Sequence, residues 1–252
     1  MAFVLKVDRL FLKKNPQDLV AVLAEQAMHD CVHARKEGRP LAYIVGKKSF
    51  WTFDLEVTPD VLIPRADTER LVEVVLEKLP ESLPYPVLEL GTGSGAIALA
   101  LAFERPQWHI IATDKSEGAL KVAADNAKRL QRSNIRFCQG DWFDAVKDMG
   151  PFSAVLSNPP YIAKSDPHLQ AVALQAEPYN ALCSGETGLE AFAIITENAK
   201  KYLTNNGLLC LEHGHDQSPA LCALLQKNGY HKRQQFFDLG QMPRVISAEW
   251  NG

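Results

Sequence analysis

No stretch of this chain is long and apolar enough to read as a membrane span, and its opening, Met1-Ala2-Phe3-Val4-Leu5-Lys6, is not a basic segment followed by an apolar core. No two of its five cysteines, Cys31, Cys138, Cys183, Cys210 and Cys222, form a Cys-x-x-Cys pair. A disulfide or zinc framework is thereby disfavoured, and small buried hydrophobes in a reducing compartment are the natural reading. Positive charge is not in excess either: 27 Lys and Arg stand against 30 Asp and Glu, a net charge of −3. A protein that tracks a nucleic-acid backbone usually carries a basic face, which this balance does not require. Repeats and low-complexity tracts are absent. The expectation is a cytoplasmic monomer with no membrane association and no direct nucleic-acid partner.

What is present is apolar material for a sizeable core, 46% of 252 residues, enough for one large α/β domain with a small appendage. From Asp18, the residues Leu19, Val22, Leu23, Ala27, Met28 and Cys31 recur at spacings of three and four, which predicts a helix opened by Asn15-Pro16-Gln17-Asp18. A turn follows at Glu37-Gly38-Arg39-Pro40, and aromatic and β-branched residues between Tyr43 and Val57 predict a hairpin. Short apolar runs then alternate with amphipathic stretches. Strands are predicted at 87–90, 110–113, 135–138, 154–157 and 208–211, and helices at 68–79, 96–103, 117–130, 189–203 and 216–227. Two closing strands, 230–238 and 245–250, should pair antiparallel at one edge. The fold class is α/β, a Rossmann-like seven-stranded sheet with helices on both faces. The expected division is an N-terminal helical domain over 1–40, a β-hairpin linker over 41–64 and the sheet domain over 65–252.

Leu90-Gly91-Thr92-Gly93-Ser94-Gly95 follows a predicted strand and opens a predicted helix. Glycines permit a tight turn and close approach of a ligand, and the helix start offers free N–H groups. The spacing is Gly-x-Gly-x-Gly, with Ala98 where the third glycine of a dinucleotide fingerprint, or its allowed alanine, would fall. The added Gly95 is more typical of loops that hold S-adenosylmethionine. Asp114, ending the next strand, is placed to reach ribose hydroxyls, or else to cap the helix that follows.

Ser157-Asn158-Pro159-Pro160-Tyr161 ends the fourth strand, so it should share a crevice with the glycine loop. Two prolines fix φ, remove two donors and leave carbonyl acceptors; the Asn158 side chain adds another. That set suits a substrate presenting an N–H₂ group whose lone pair is delocalised. Asn158 Oδ1 and the Pro159 carbonyl can hold its two hydrogens, and Tyr161 can lie against its plane. Catalysis then consists of positioning and electrostatics, with Asn158, Pro159 and Tyr161 as catalytic candidates and Pro160 added for substrate binding. The chemistry alone leaves protein amides and nucleobase amines both open; an adenine N6 methyltransferase and a non-catalytic cofactor-binding module are the alternatives.

Gly140-Asp141-Trp142-Phe143 could set Asp141 and Trp142 around an adenine ring or plug the sheet. Ile63-Pro64-Arg65-Ala66-Asp67-Thr68-Glu69 could close over a cofactor, with Asp67 or Thr68 equally a plain N-cap. Glu212-His213-Gly214-His215 has the look of a metal pair without a third ligand, and reads better as polar residues ending a strand.

Taken together, these motifs resemble the peptide chain release factor N5-glutamine methyltransferases (the HemK or PrmC family). The matching stretches are Gly38 to Gly46, Phe50-Trp51, Leu62 to Arg65, Glu89 to Ala98, Gly140 to Phe143, Asn158 to Tyr161, Glu177-Pro178 and Leu211 to Gly214. The resemblance implies a class I methyltransferase that moves a methyl from S-adenosyl-L-methionine to the side-chain nitrogen of the glutamine in the Gly-Gly-Gln tip of bacterial class 1 release factors, leaving S-adenosyl-L-homocysteine. It places cofactor contacts on Gly91, Thr92, Gly93, Ser94, Gly95, Asp114, Trp142 and Asn158, the glutamine on Asn158 to Tyr161, and no metal. Ala66 stands where the family pattern has proline, and the N-terminal domain, which resembles the part that grips the protein substrate, is shorter than usual.

Overall fold

The computed structural model describes all residues, 1–252. The chain opens with helices α1 (Ala2–Leu5), α2 (Arg9–Lys14), α3 (Val22–Lys36) and α4 (Leu41–Val45). None of the first three buries a residue. Asp8 caps α2 by accepting from the Phe11 N–H. Helix α3 begins at Val22, later than the apolar spacing from Asp18 suggests, and has no side-chain cap, so Asn15 to Asp18 do not open it. The hairpin of β1 (Lys47–Phe50) and β2 (Phe53–Glu56) follows.

From here α5 (Glu69–Lys78), β3 (Val87–Leu90), α6 (Ala96–Glu104), β4 (Ile110–Asp114), α7 (Glu117–Arg129), β5 (Ile135–Gln139) and β6 (Phe152–Ser157) alternate. Two short helices, α8 (Val172–Gln175) and α9 (Tyr179–Leu182), lead into α10 (Glu190–Asn198), β7 (Leu203–Glu212), α11 (Ser218–Lys227), β8 (His231–Phe237) and β9 (Pro243–Trp250). The seven strands from β3 onward form one sheet in the order β5-β4-β3-β6-β7-β9-β8, in which β9 alone is reversed and pairs antiparallel with both β7 and β8. The closing strands are thus antiparallel at one edge, with β9 inserted beside β7.

Strand residues alternate between faces, and the core divides accordingly. Val87, Ala112, Ala154, Leu156, Leu208 and Cys210 pack with α5 and α6 on one side, while Leu88, Leu90, Val155, Leu209 and Leu211 pack with α10 and α11 on the other. Helix α6 has no polar face before its last residue, because it lies between the sheet and the hairpin, with Ala96 to Ala102 all buried. No helix is long and apolar enough to cross a membrane.

This register sets up the site. Leu90 stands beside Thr113 on one side and Ser157 on the other, and Ser157 beside Leu211. The residues one step further, Gly91, Asp114, Asn158 and Glu212, therefore emerge in a row at the carboxyl edge. The chain runs from β3 to β4 in one direction and crosses to β6 in the other, so the row straddles the switch point where open α/β sheets bind ligands.

Candidate active site

A cavity of about 580 Å³ opens over the row, lined by Glu89, Gly91 to Ser94, Asp114, Gly140 to Trp142, Asn158 and Pro160 among others. Gly91 and Gly93 have φ of 72° and 55°, and a Cβ on either would meet no protein atom, so the backbone there is open to the cavity. Gly95 serves packing instead. Its φ is 85°, and a Cβ would lie 3.2 Å from that of Ala123 in α7. Gly95 is the last residue before α6, which puts the helix start, with its free N–H groups, beside the loop.

Two carboxylates brace the loop. Asp114 Oδ2 accepts from the Gly93 N–H at 2.9 Å and Oδ1 from the Ser116 N–H at 2.9 Å. The cap of α7 is Ser116, whose Oγ accepts from the Ala119 N–H. Beneath the loop, Glu89 Oε2 accepts from Thr92 Oγ1 at 2.7 Å and from the Ala98 N–H at 3.1 Å. Burial pushes the Glu89 carboxyl up to about 7, against these two hydrogen bonds, and the nearby Asp114 adds to the rise. Asn126 ties the loop to the hairpin, its Nδ2 donating to the Ser94 and Glu56 carbonyls.

Trp142 lines the cavity from a backbone φ of 49°, a left-handed conformation that is strained for a bulky residue. Asp141, at the rim, pairs with Lys115 at 3.1 Å.

A second cavity, about 140 Å³, is lined by Pro159, Tyr161, Ile162, Leu174 and Leu182. Leu62, Arg65, Asn158 and Ala181 line both cavities, so the two meet at Asn158. The structure thus brings every sequence-predicted site residue except Gly95 to one of two adjoining cavities: Pro160 to the larger, Pro159 and Tyr161 to the smaller.

The Asn158 amide is oriented: Nδ2 donates to Thr68 Oγ1 at 3.1 Å. Thr68 makes no side-chain cap on α5, and Asp67 lies 3.6 Å from Arg244 of β9, so neither serves as the simple N-cap its position suggests. Arg65 and the chain before it are clasped across the cavity mouth. Glu177, buried, accepts from Arg65 Nη2 at 2.5 Å and from the Ile63 N–H at 3.0 Å. This joins the segment before α5 to the one before α9.

Glu212 and His213, neighbours in sequence, have separate surroundings. Glu212 lies by Thr68, Arg244, Asp67 and Asn158, and burial pushes its carboxyl up to about 7. His213 is fully buried, its Nδ1 2.8 Å from the Gly214 carbonyl oxygen, and burial lowers its pKa, keeping it neutral. Tyr161 is raised to about 12 by burial and then by Glu212. Sequence reasoning missed the parts played by Thr68, Glu177 and Arg244, whose partners are distant in the chain.

Residues 84–241 match the family described as Methyltransferase domain, and residues 1–46 match the PrmC N-terminal domain. The chain is 44% identical to the release factor glutamine methyltransferase of Coxiella burnetii over 97% of its own length and 87% of that protein's. It is 45% identical to the protein of the same name in Xylella fastidiosa strain 9a5c, over 98% and 90%. Among solved structures, a methyltransferase from Pyrococcus furiosus superposes with a TM-score of 0.60 at 20% identity, covering 89% of this chain and 98% of that one, a likeness of fold. On these matches, the chain belongs to the family of release factor glutamine methyltransferases.

Proposed function

We propose that this protein methylates the side-chain nitrogen of the glutamine in the Gly-Gly-Gln motif of class 1 release factors, using S-adenosylmethionine. The observation that carries the reading is the meeting of the two cavities at Asn158, whose amide is turned so that its nitrogen faces Thr68 and its oxygen is left for a ligand.

The larger cavity fits the cofactor. Its bare glycine backbone, the nearby start of α6 and the carboxylate of Asp114 offer N–H groups to a carboxylate and acceptors to ribose hydroxyls. Gly91 to Ser94, Asp114 and Trp142 would hold it, with the Trp142 ring on the adenine side. When bound, S-adenosylmethionine supplies an electrophilic methyl.

The chain's own residues supply position. Asn158 Oδ1 and the Pro159 carbonyl accept the two hydrogens of the glutamine amide and turn its lone pair towards the larger cavity. Positive charge grows on that nitrogen as its new bond to carbon forms, and the two acceptors stabilise it. Pro159 and Pro160, with fixed φ, carry that geometry at little entropic cost. Tyr161 and the apolar walls Leu174 and Leu182 exclude water and cover the amide plane. Tyr161, raised to about 12, stays neutral at physiological pH and is no general base. No strong base is needed, because the nitrogen becomes a strong acid once the methyl has arrived, and its proton passes to solvent as the products leave.

Residues 1–40 would grip the protein substrate. Helices α1 to α3 bury nothing, and Leu10, Phe11, Leu19 and Leu23 are exposed, which suits a protein partner better than a small molecule. Incubating the protein with release factor and S-adenosylmethionine should add one methyl to the Gly-Gly-Gln peptide, read by mass spectrometry. An unmodified peptide from a cofactor-binding preparation would refute the reading, and transfer to an adenine-bearing oligonucleotide instead would replace it.

A further inference from the structure

Glu212 has no part in the transfer as derived so far, yet its setting is unusual. It ends β7 on the α5 side of the sheet, at a position whose alternates, Leu208 and Cys210, are apolar core. It is 1% exposed, and its Oε2 has no hydrogen-bond partner. Burying a carboxyl this way costs free energy that an apolar residue would not incur.

The neighbouring groups show what that carboxyl can do. Thr68 Oγ1 accepts from Asn158 Nδ2 at 3.1 Å and is itself buried. A hydroxyl has one hydrogen to give. While it accepts from Asn158, that hydrogen must go elsewhere, and Glu212, which follows the Leu211 that pairs with Ser157, emerges beside Asn158 with its carboxyl near Thr68. An ionised carboxyl can only accept. It therefore imposes one direction, from the Asn158 amide to Thr68 to Glu212, and leaves Asn158 Oδ1 for the substrate. A protonated Glu212 removes that constraint, because the Thr68 hydrogen is then free to turn towards Asn158, and the Asn158 amide is free to flip.

We infer that Glu212 is a positioning residue of the transfer: acting through Thr68, its carboxylate locks the Asn158 side chain with Oδ1 facing the substrate and strengthens that oxygen as an acceptor. The inference rests on the reading of Asn158 as the holder of the substrate amide. Ionised Glu212, accepting at the end of the chain that starts from the Asn158 N–H₂, pushes electron density through the amide towards Oδ1, and that oxygen becomes more negative where positive charge develops on the substrate nitrogen.

The charges around it leave Glu212 available for this. Arg244 of β9 is the cation facing it, but Arg244 is shared with Asp238 at 3.1 Å and Asp67 at 3.6 Å. Asp67 opposes the ionisation of Glu212, the Tyr161 phenol stands nearby, and His213 is neutral. Burial raises the Glu212 carboxyl to about 7, with Thr68, Arg244 and Asn158 pulling it back. The ionisation state of Glu212 is thus what selects between the two arrangements of Asn158.

The test uses the full chain, release factor and S-adenosylmethionine, with Glu212→Gln, Thr68→Val and Thr68→Ser. Infrared titration of the cofactor-free protein reads the Glu212 carboxyl directly. Expected are a protonated-carboxyl band that titrates near neutral pH in the native protein and is lost in Glu212→Gln, and a native kcat that rises along the same titration. Glu212→Gln should lower kcat about tenfold, flatten that rise and leave cofactor affinity and the KM for release factor within about twofold. Thr68→Val should behave like Glu212→Gln, and Thr68→Ser should restore most of the rate. A native-like kcat and pH profile in Glu212→Gln would overturn the inference, as would equal losses of kcat and cofactor affinity, which mark a structural role. Absence of transfer by the native protein would overturn the functional reading itself, and is told apart because the infrared band is measured without substrate.

Discussion

Glu89 and Glu212 point to the same face of the sheet, Glu89 level with Cys210 and so two residues deeper than Glu212. Each lies at the carboxyl end of a parallel strand, on the face that carries α5 and α6, each is 1% exposed, and burial pushes each carboxyl to about 7. Their partners differ. Glu89 spends one oxygen on Thr92 and on the Ala98 N–H, so its work is finished within the fold: it holds the glycine loop against α6. Glu212 has an orphaned oxygen and lies beside Thr68, which lines the larger cavity, and Asn158, where the two cavities meet. On the proposed reading, the same burial serves as a strut under the glycine loop and as a lever under the Asn158 corner. A carboxyl's role is set by where its hydrogen bonds lead.

Several substitutions would sharpen or break that contrast. Asn158→Ala should have the largest effect, lowering kcat roughly 10²–10³-fold by removing the acceptor the lever acts on, while cofactor affinity falls far less. Near-normal turnover would show that the corner does not orient the nucleophile. Glu212→Gln comes next, about tenfold, and adding it to Asn158→Ala should cost little more, since both act on one group. Full additivity would separate Glu212 from Asn158.

Arg65→Met should follow, with a KM for release factor raised a few-fold and kcat little changed, because it opens the clasp with Glu177 at the cavity mouth. Glu89→Gln should be mildest for turnover, within about twofold at an unchanged pH profile, because glutamine's oxygen can keep both hydrogen bonds. Stability then supplies a comparison across pH. Both glutamates have folded-state pKa values raised from 4.5 to about 7. The folded state binds more protons in that window, so their contribution is fully present below about 4.5 and is lost as pH rises towards 7. Each shift corresponds to about 3 kcal/mol. Each Gln variant should therefore gain in melting temperature relative to the native protein between these pH values; a constant difference would contradict the assignment.

Much of this architecture was legible in the sequence because parallel strands buried on both faces read as continuous apolar runs. Val87 to Leu90 and Ala154 to Ser157 fall where the runs place them. The run Leu208 to Leu211 marks only the apolar end of β7, which extends back to Leu203 through the polar Thr204-Asn205-Asn206-Gly207. The start of α3 was misread because apolar spacing signals a buried face, and this helix buries none. The glycine loop, Asp114, Trp142 and the Asn158 corner were legible because local chemistry defines them. Thr68, Glu177 and Glu212 were not. Thr68 meets Asn158 across 90 residues and Glu177 meets Arg65 across 112, and such contacts leave no periodic trace. Glu212 reads from the sequence as a polar residue ending a strand, which it is, but nothing local points to Thr68 and Asn158 as its neighbours.

The most direct measurement of the central claim is a mass spectrum of the Gly-Gly-Gln peptide cut from release factor after incubation with S-adenosylmethionine and either the native protein or Asn158→Ala. The account predicts one added methyl on the glutamine side chain with the native protein and almost none with the variant at equal time. A glutamine left unmodified by a cofactor-binding native protein, or modified equally by both, would contradict it.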